Sequence, residues 1–180
     1  MKIRMLNGGH QVLANPAEVL GIETISQAMQ HDVIRNFFCK VQKEEIVAHV
    51  RPVPGCKPLA YLDQIAVRFA NPKIIDTTRR VAFDGSNRHS GFLLPIIRDA
   101  LKAGTPIEGL ALVEALWARY CLGIREDKSV IEPNDPIWDE LTIVASAARV
   151  TPKEWLDLQL YGDLSDNARF SLAFHTWLRK

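Results

Sequence analysis

Cysteine is scarce in this chain. Its three thiols, Cys39, Cys56 and Cys121, are odd in number and far apart. That excludes a disulfide framework and a zinc site made of two close cysteine pairs, and points to reduced thiols in a cytosolic protein. Charge of one sign is missing as well. The 22 Lys and Arg residues against 21 Asp and Glu leave a net charge of +1, so nothing in the balance calls for nucleic acid or an anionic membrane. No apolar run approaches the roughly 20 residues of a membrane span. The opening residues lack a signal peptide's order of basic start, long apolar run and small-residue cleavage site. No stretch alternates apolar and polar residues long enough for a convincing strand, and there is neither repeat nor low-complexity segment. Finally, there is no Gly-x-Gly-x-x-Gly and no strand–helix alternation to host one, which excludes a dinucleotide-binding fold from these residues.

What is present is ordinary for one globular domain: 180 residues, 47% apolar and 24% charged, enough for a single good core. The pattern is helical nearly throughout, so the expected fold is all-α, a single domain over 1–180. Met1 to about Ala14 reads as a helix that Asn15-Pro16 ends. Short helices follow at Ala17–Leu20 and Thr24–Gln30. Asp32 is a plausible N-cap for a long helix through about His49, with Val33, Phe37, Val41 and Ile46 as its buried stripe. Residues 51–58 form a Pro- and Gly-rich loop. Leu59–Ala70 is helical, and Asn71-Pro72 opens a helix to about Phe83. Residues 84–87 make a turn, with Ser86 or Asn87 as the next cap, and Gly91–Ala103 is helical around Pro95 and ended by Gly104. Glu108–Leu122, apolar on most faces, is the expected central helix. After a turn at Glu132–Pro136, helices at Asp139–Arg149, Thr151–Leu158 and Asp163–Arg179 complete the set. Trp117, Trp138, Trp155 and Trp177 read as core or interface residues. His31, His49, His89 and His175 show no ligand spacing.

The N-terminal stretch MKIRMLNGGHQVLA sets three polar side chains and a glycine pair in an otherwise apolar helix. At about 100° per residue, Lys2, Asn7 and His10 fall within one arc of about 140°. Leu6 and Leu13 share that arc, so the face is not simply solvated. Burying such groups unpaired costs several kcal/mol, which is tolerable if they meet one another or a ligand. Each glycine costs up to about 1 kcal/mol against alanine, and close approach of another backbone or of a ligand would offset it. A lysine whose charge is disfavoured by burial and by nearby cations can act as a general base. An amide and an imidazole can both donate to an oxygen on which charge develops. Base plus two donors suits proton removal from a secondary alcohol. The plainer alternative is a solvated terminal lysine, a capping asparagine and a half-buried histidine, and spacing alone does not choose.

Lys2-x-x-x-x-Asn7-x-x-His10, as KIRMLNGGH, resembles the signature of the polyol-specific long-chain dehydrogenases, the mannitol dehydrogenase family. RFANPKIIDTTRRVAFDGSNRHSGFLLP (68–95) is similar to the family's Asn-Pro, arginine-containing helix and Asp-Gly-Ser-x-Arg stretch. GLALVEALWARYCLG (109–123) and IEPNDPIWDEL (131–141) resemble its later helices. The likeness runs over essentially the whole chain.

The resemblance implies a two-domain enzyme in which a Rossmann-type domain holds NAD or NADP and a helical domain of the 6-phosphogluconate-dehydrogenase-like C-terminal type carries the catalytic lysine. This chain matches only the second, so a nucleotide-binding partner is expected in cis or in trans. Lys2 would be the general base, Asn7 and His10 would hold the reacting oxygen, and Arg80, with Arg88 as runner-up, would bind substrate hydroxyls, without a metal. A surface ion pair is the plain reading of either arginine. The implied substrate is a polyol or its ketose. A fructuronate or tagaturonate reductase is the near alternative, since the basic residues Arg68, Lys73, Arg79, Arg80, Arg88, Arg98 and Lys102 could meet a sugar acid. A non-catalytic helical module is the alternative from another class.

Overall fold

The computed structural model describes residues 1–180. It is all-α: the only β pairings are three isolated bridges. Eleven α-helices follow one another, joined in places by π or 3₁₀ turns: α1 Gly8–Val19, α2 Ile25–Gln30, α3 Asp32–Val41, α4 Pro58–Phe69, α5 Thr78–Ala82, α6 Gly85–Arg88, α7 Leu94–Ala103, α8 Glu108–Tyr120, α9 Trp138–Ala148, α10 Lys153–Leu156 and α11 Ala168–Leu178. No helix is long and apolar enough to cross a membrane.

Two helices form the centre. Helix α8 is the expected buried helix, and it packs against α1 on one side and α11 on the other. The surprise is α1. Every one of its residues is buried except His10. It does not stop at Asn15-Pro16 but runs through Pro16 to Val19. A proline interior to a helix costs about 3 kcal/mol through the missing N–H and the ring's clash with the preceding turn. Burial of the helix on all sides outweighs that local penalty. The real terminator is Gly21, at φ +72°. Around it Ile22 N donates to Ala17 O and Gly21 N to Glu18 O, a Schellman end. Gly104, at φ +69°, ends α7 in the same way, as expected.

Four other expectations fail, wholly or in part, for identifiable reasons. First, residues 2–14 are not one α-helix: Lys2–Asn7 is wound as a π turn, with Gly8 N donating back to Ile3 O. The Gln42 amide, which donates to Met5 O at 2.8 Å, supports the widened backbone from outside. Second, α3 begins after His31, with Asp32 already helical; of the predicted stripe Val41 and Ile46 are buried, while Ile34 and Phe38 take the places expected of Val33 and Phe37. Val33 is 72% exposed, and a second π turn, Gln42–Ile46, breaks the single period that the prediction assumed. Third, no helix starts at Asn71-Pro72. The backbone there is committed elsewhere: Ile25 N donates to Asp76 O and Thr78 N to Glu23 O. Only past Thr77, whose side chain caps Arg80 N, does α5 begin. Likewise, neither Ser86 nor Asn87 is a cap. Asp84, left-handed at φ +58°, precedes the single turn α6.

The glycine pair now has an explanation. A Cβ on Gly9 would lie 2.4 Å from Gln42 Nε2 and 3.0 Å from Phe38 Cε2, so Gly9 lets a side chain of the crossing helix approach, rather than a backbone or ligand. Gly8 is different, since its Cβ would meet Leu93 at an ordinary 3.5 Å.

Candidate active site

Four of the five residues singled out in the sequence line one open cavity of about 620 Å³: Asn7, His10, Arg80 and Arg88, joined by Val81, Asp84, Asn87 and Phe92. They arrive from three places. Asn7 ends the π turn and His10 stands on α1, which places them one helical step apart. Arg80 comes from α5, and Arg88 ends α6.

His10 is the best-defined member. Its ring stacks on Phe69 with centroids 4.2 Å apart and planes 20° apart. Nε2 lies 3.9 Å from Asp76 Oδ2, too far for a hydrogen bond. Burial pushes its pKa down to about 4. The nearby Asp76 carboxylate opposes that shift, while Arg80, Arg88 and Arg68 add to it. At neutral pH the ring is therefore uncharged, with one N–H to donate and one nitrogen to accept. Asp76 in turn accepts from Arg80 Nε at 2.8 Å. Arg80 is exposed and Asp76 mostly covered, so the pair forms a rim at which the guanidinium reaches solvent.

Arg88 is half-buried. Its Nη1 donates to Val81 O at 3.1 Å, and it forms no ion pair. Burial lowers its pKa somewhat, but a guanidinium stays charged. The Val81 carbonyl also accepts from the buried Gln11 Nε2 at 3.1 Å, which ties α5 to α1.

Lys2 is not among the residues that line this cavity. It is exposed and lines a separate open cleft of about 750 Å³ with Arg4, His49, Arg51 and Asp99. The uniform 100° step used to set Lys2 beside Asn7 does not hold across the π turn. The i→i+5 bonding brings positions five apart, such as Lys2 and Asn7, nearer to one line along the segment, so what keeps Lys2 off the cavity wall is its exposed place at the outer end of the turn. The burial that would disfavour the lysine's charge is not supplied by this chain.

The sequence reading missed Phe69 and Asp76, which orient His10 and Arg80. Asp76 had a signal, the i, i+4 spacing to Arg80, while Phe69 had none. It also missed a buried polar row on α1, Gln11, Asn15 and Glu18. Asn15 Nδ2 lies 2.9 Å from His89 Nε2, and His89 Nδ1 lies 2.9 Å from Glu114 Oε1. Tyr161 donates to Glu114 Oε2 at 2.8 Å. The three cysteines are free. No group of three or more His, Cys, Asp or Glu side chains is placed to hold a metal ion.

Comparison with known proteins adds the following. A family profile described as the mannitol dehydrogenase C-terminal domain matches residues 1–180. A mannitol 2-dehydrogenase of Cereibacter sphaeroides is 49% identical over 175 residues, covering 97% of this chain and 37% of that protein. One of Pyricularia oryzae is 32% identical over 171 residues, covering 94% of this chain and 34% of that protein. Among solved structures, the Pseudomonas fluorescens mannitol 2-dehydrogenase in ternary complex with NAD and D-mannitol superposes with a TM-score of 0.94 at 26% identity, over 99% of this chain and 37% of that one. A substrate-free D-sorbitol dehydrogenase shares the fold, with a TM-score of 0.90 at 22% identity. The chain thus spans little more than a third of the length of the relatives it matches.

Proposed function

This chain belongs to the mannitol dehydrogenase family as the C-terminal domain of its members, and from that premise we propose that it is the substrate-binding and catalytic half of an NAD(P)-dependent polyol 2-dehydrogenase. The observation that carries the reading is the convergence of Asn7, His10, Arg80 and Arg88 on one cavity from separate parts of the chain.

A sugar alcohol in that cavity presents the reacting hydroxyl to Asn7 and His10 and its remaining hydroxyls to Arg80 and Arg88. The Asn7 amide and the neutral His10 imidazole each donate a hydrogen bond to the reacting oxygen. These bonds strengthen as negative charge builds there, which lowers the barrier. Lys2, in its uncharged form, takes the hydroxyl proton at Nζ. In ketose reduction the Lys2 ammonium returns that proton to the oxygen. The nicotinamide, when bound, accepts or gives the hydride. This chain offers no cradle for the dinucleotide, because it has no sheet and no glycine-rich strand-to-helix turn. A nucleotide-binding domain in cis or in trans therefore supplies it and, by covering the N-terminal face, supplies the burial that Lys2 needs. No metal takes part in this scheme. NAD with D-mannitol is the first pair to try, since the Pseudomonas relative was captured with both.

One observation favours a second reading, a reductase of fructuronate or tagaturonate: Arg88 has no carboxylate partner within the chain and could take one from a sugar acid. The test is steady-state turnover of the gene product together with its nucleotide-binding domain. D-mannitol oxidation is expected to exceed uronate reduction in kcat/KM, and Lys2→Ala is expected to abolish it while leaving the fold intact. Preference for the uronates moves the assignment to the second reading. Normal turnover by Lys2→Ala, at any pH, removes the lysine mechanism.

A further inference from the structure

We propose that Asp135, which does not line the cavity, is the positioning residue that sets where Arg88 stands in it. The inference rests on the polyol-binding reading of the cavity. The observation behind it is how α6 is held. The turn Gly85–Arg88 opens a helical run that continues through the π turn His89–Leu93 into α7, and the first backbone N–H groups of such a run have no partner inside it. That start is fastened from outside, by the turn over residues 132–136.

Asp135 does most of that. Its Oδ2 accepts from Ser86 N at 2.7 Å and its Oδ1 from Ser86 Oγ at 2.8 Å. The short distances are those of charge-assisted bonds. Asp135 is itself fixed, because Oδ1 also accepts from Ile137 N at 3.1 Å. The residue before it acts on the same segment: Asp84 N donates to Asn134 O at 2.9 Å. Trp117 closes in beside Asp135: its Nε1 would lie 2.7 Å from a Cβ on Gly85, and Asp135 Oδ2 would lie 3.6 Å from the same point. The turn also reaches α5, since Arg79 donates to the Glu132 and Pro133 carbonyls and Asn134 Nδ2 donates to Arg79 O. One turn that contributes nothing to the cavity wall thus braces both segments that deliver arginines to it. Ser86 is two residues from Arg88 on a single rigid turn. Loss of the Asp135 carboxylate frees α6 to tilt about its remaining contacts and carries the Arg88 guanidinium with it.

The test uses the protein with its nucleotide-binding domain and compares Arg88→Ala, Asp135→Ala, Asp135→Asn and the Arg88→Ala/Asp135→Ala pair. Arg88→Ala should raise the polyol KM roughly ten-fold, the loss expected for hydrogen bonds from a charged group. Asp135→Ala should raise it about three- to ten-fold, a share of that same loss, with kcat and the nucleotide KM little changed. Asp135→Asn should largely restore it, because an amide can still accept from Ser86 N and donate to Ser86 Oγ, giving up only the bond from Ile137. In the Arg88→Ala background, Asp135→Ala should add almost nothing. A merely structural role would instead lower kcat in step with the folded fraction and leave both KM values in place, and that result overturns the proposal. So does an Asp135→Ala effect of full size when Arg88 is already gone. Should Asp135→Ala fold poorly, Ser86→Ala, which removes one bond of the pair, should still raise the polyol KM about two-fold, and no change there counts against the proposal. An Arg88→Ala variant with unchanged polyol KM would show that the cavity reading itself is wrong at Arg88.

Discussion

The two sides of the cavity are built differently. Asn7 and His10 stand at the head of α1, a helix buried along its whole length apart from His10 itself. Arg80 stands on a helix of five residues and Arg88 on the first turn of the run that continues into α7, and side chains from elsewhere brace both. The first side is rigid through packing, the second through hydrogen bonds. Packing density is a property of many contacts and fails by large energetic steps. A brace fails locally, with little change in global stability. Under the proposed function this is a division of labour: Asn7 and His10, which would meet the reacting oxygen, are held by the core, and Arg80 and Arg88, which would meet the other hydroxyls, by local attachments.

The sharpest way to break the first side is to cut its buried anchor. Glu114→Ala leaves His89 and Tyr161 without their acceptor in a fully enclosed place. Urea unfolding should show a loss of about 3–5 kcal/mol, the range for removing one partner of a buried pair. The next effect is that of acid. His10 has an unfolded pKa near 6.5 and a folded one of about 4. Above pH 6.5 neither state binds the proton, and this group contributes no pH dependence. As pH falls from 6.5 towards 4 the unfolded chain takes it up first and stability drops, by roughly 3 kcal/mol in all. Below pH 4 the folded ring protonates too and the loss from this group levels off. Unfolding curves for the parent and His10→Phe at several pH values should diverge in that window and run parallel outside it.

Gly9→Ala should cost about 1–3 kcal/mol through overpacking against Gln42 and Phe38. Gly8→Ala, one residue away, should be neutral or slightly stabilising because its new methyl meets only an ordinary contact. Equal denaturant midpoints for the two variants would show that the helix crossing is looser than described. The smallest stability effect belongs to the second side. Arg80→Ala should change stability by less than about 0.5 kcal/mol, since its pair with Asp76 is an exposed i, i+4 contact, while it raises the polyol KM.

The fold class and the central helix were legible because composition and apolar content act over many residues, and α8 has little else to be. Asn7 and His10 were legible as an i, i+3 pair on a stretch too apolar to be a free surface. The misses share one physical origin. Pro16 reads as a stop only while local terms decide, and burial of α1 overrides them. The Asn71-Pro72 start fails because residues 23–25 claim the backbone that a helix would have needed. The π turn at Lys2–Asn7 has no marker in its own residues. Part of its support comes from Gln42, some 35 positions away. Arg80 and Arg88 were named through family likeness; Asp76 offered only its i, i+4 spacing to Arg80, and Asp135, which fastens Ser86 at the start of α6, becomes visible only once the segments meet.

The wide turn before α1 amounts to one residue more than an α-helix would use to cover the same rise. Removing a residue between Lys2 and Asn7 would close it into regular winding. The segment beyond would then swing around the helix axis while Asn7 and His10 stayed seated. Met5 would move off the Gln42 amide, while Phe38 would keep its place against Gly9. Chain length at this one place is therefore a dial on the direction of Lys2, independent of the rest of the cavity. Relatives that differ here by an insertion or a deletion would be expected to differ first in where the side chain at the position of Lys2 points.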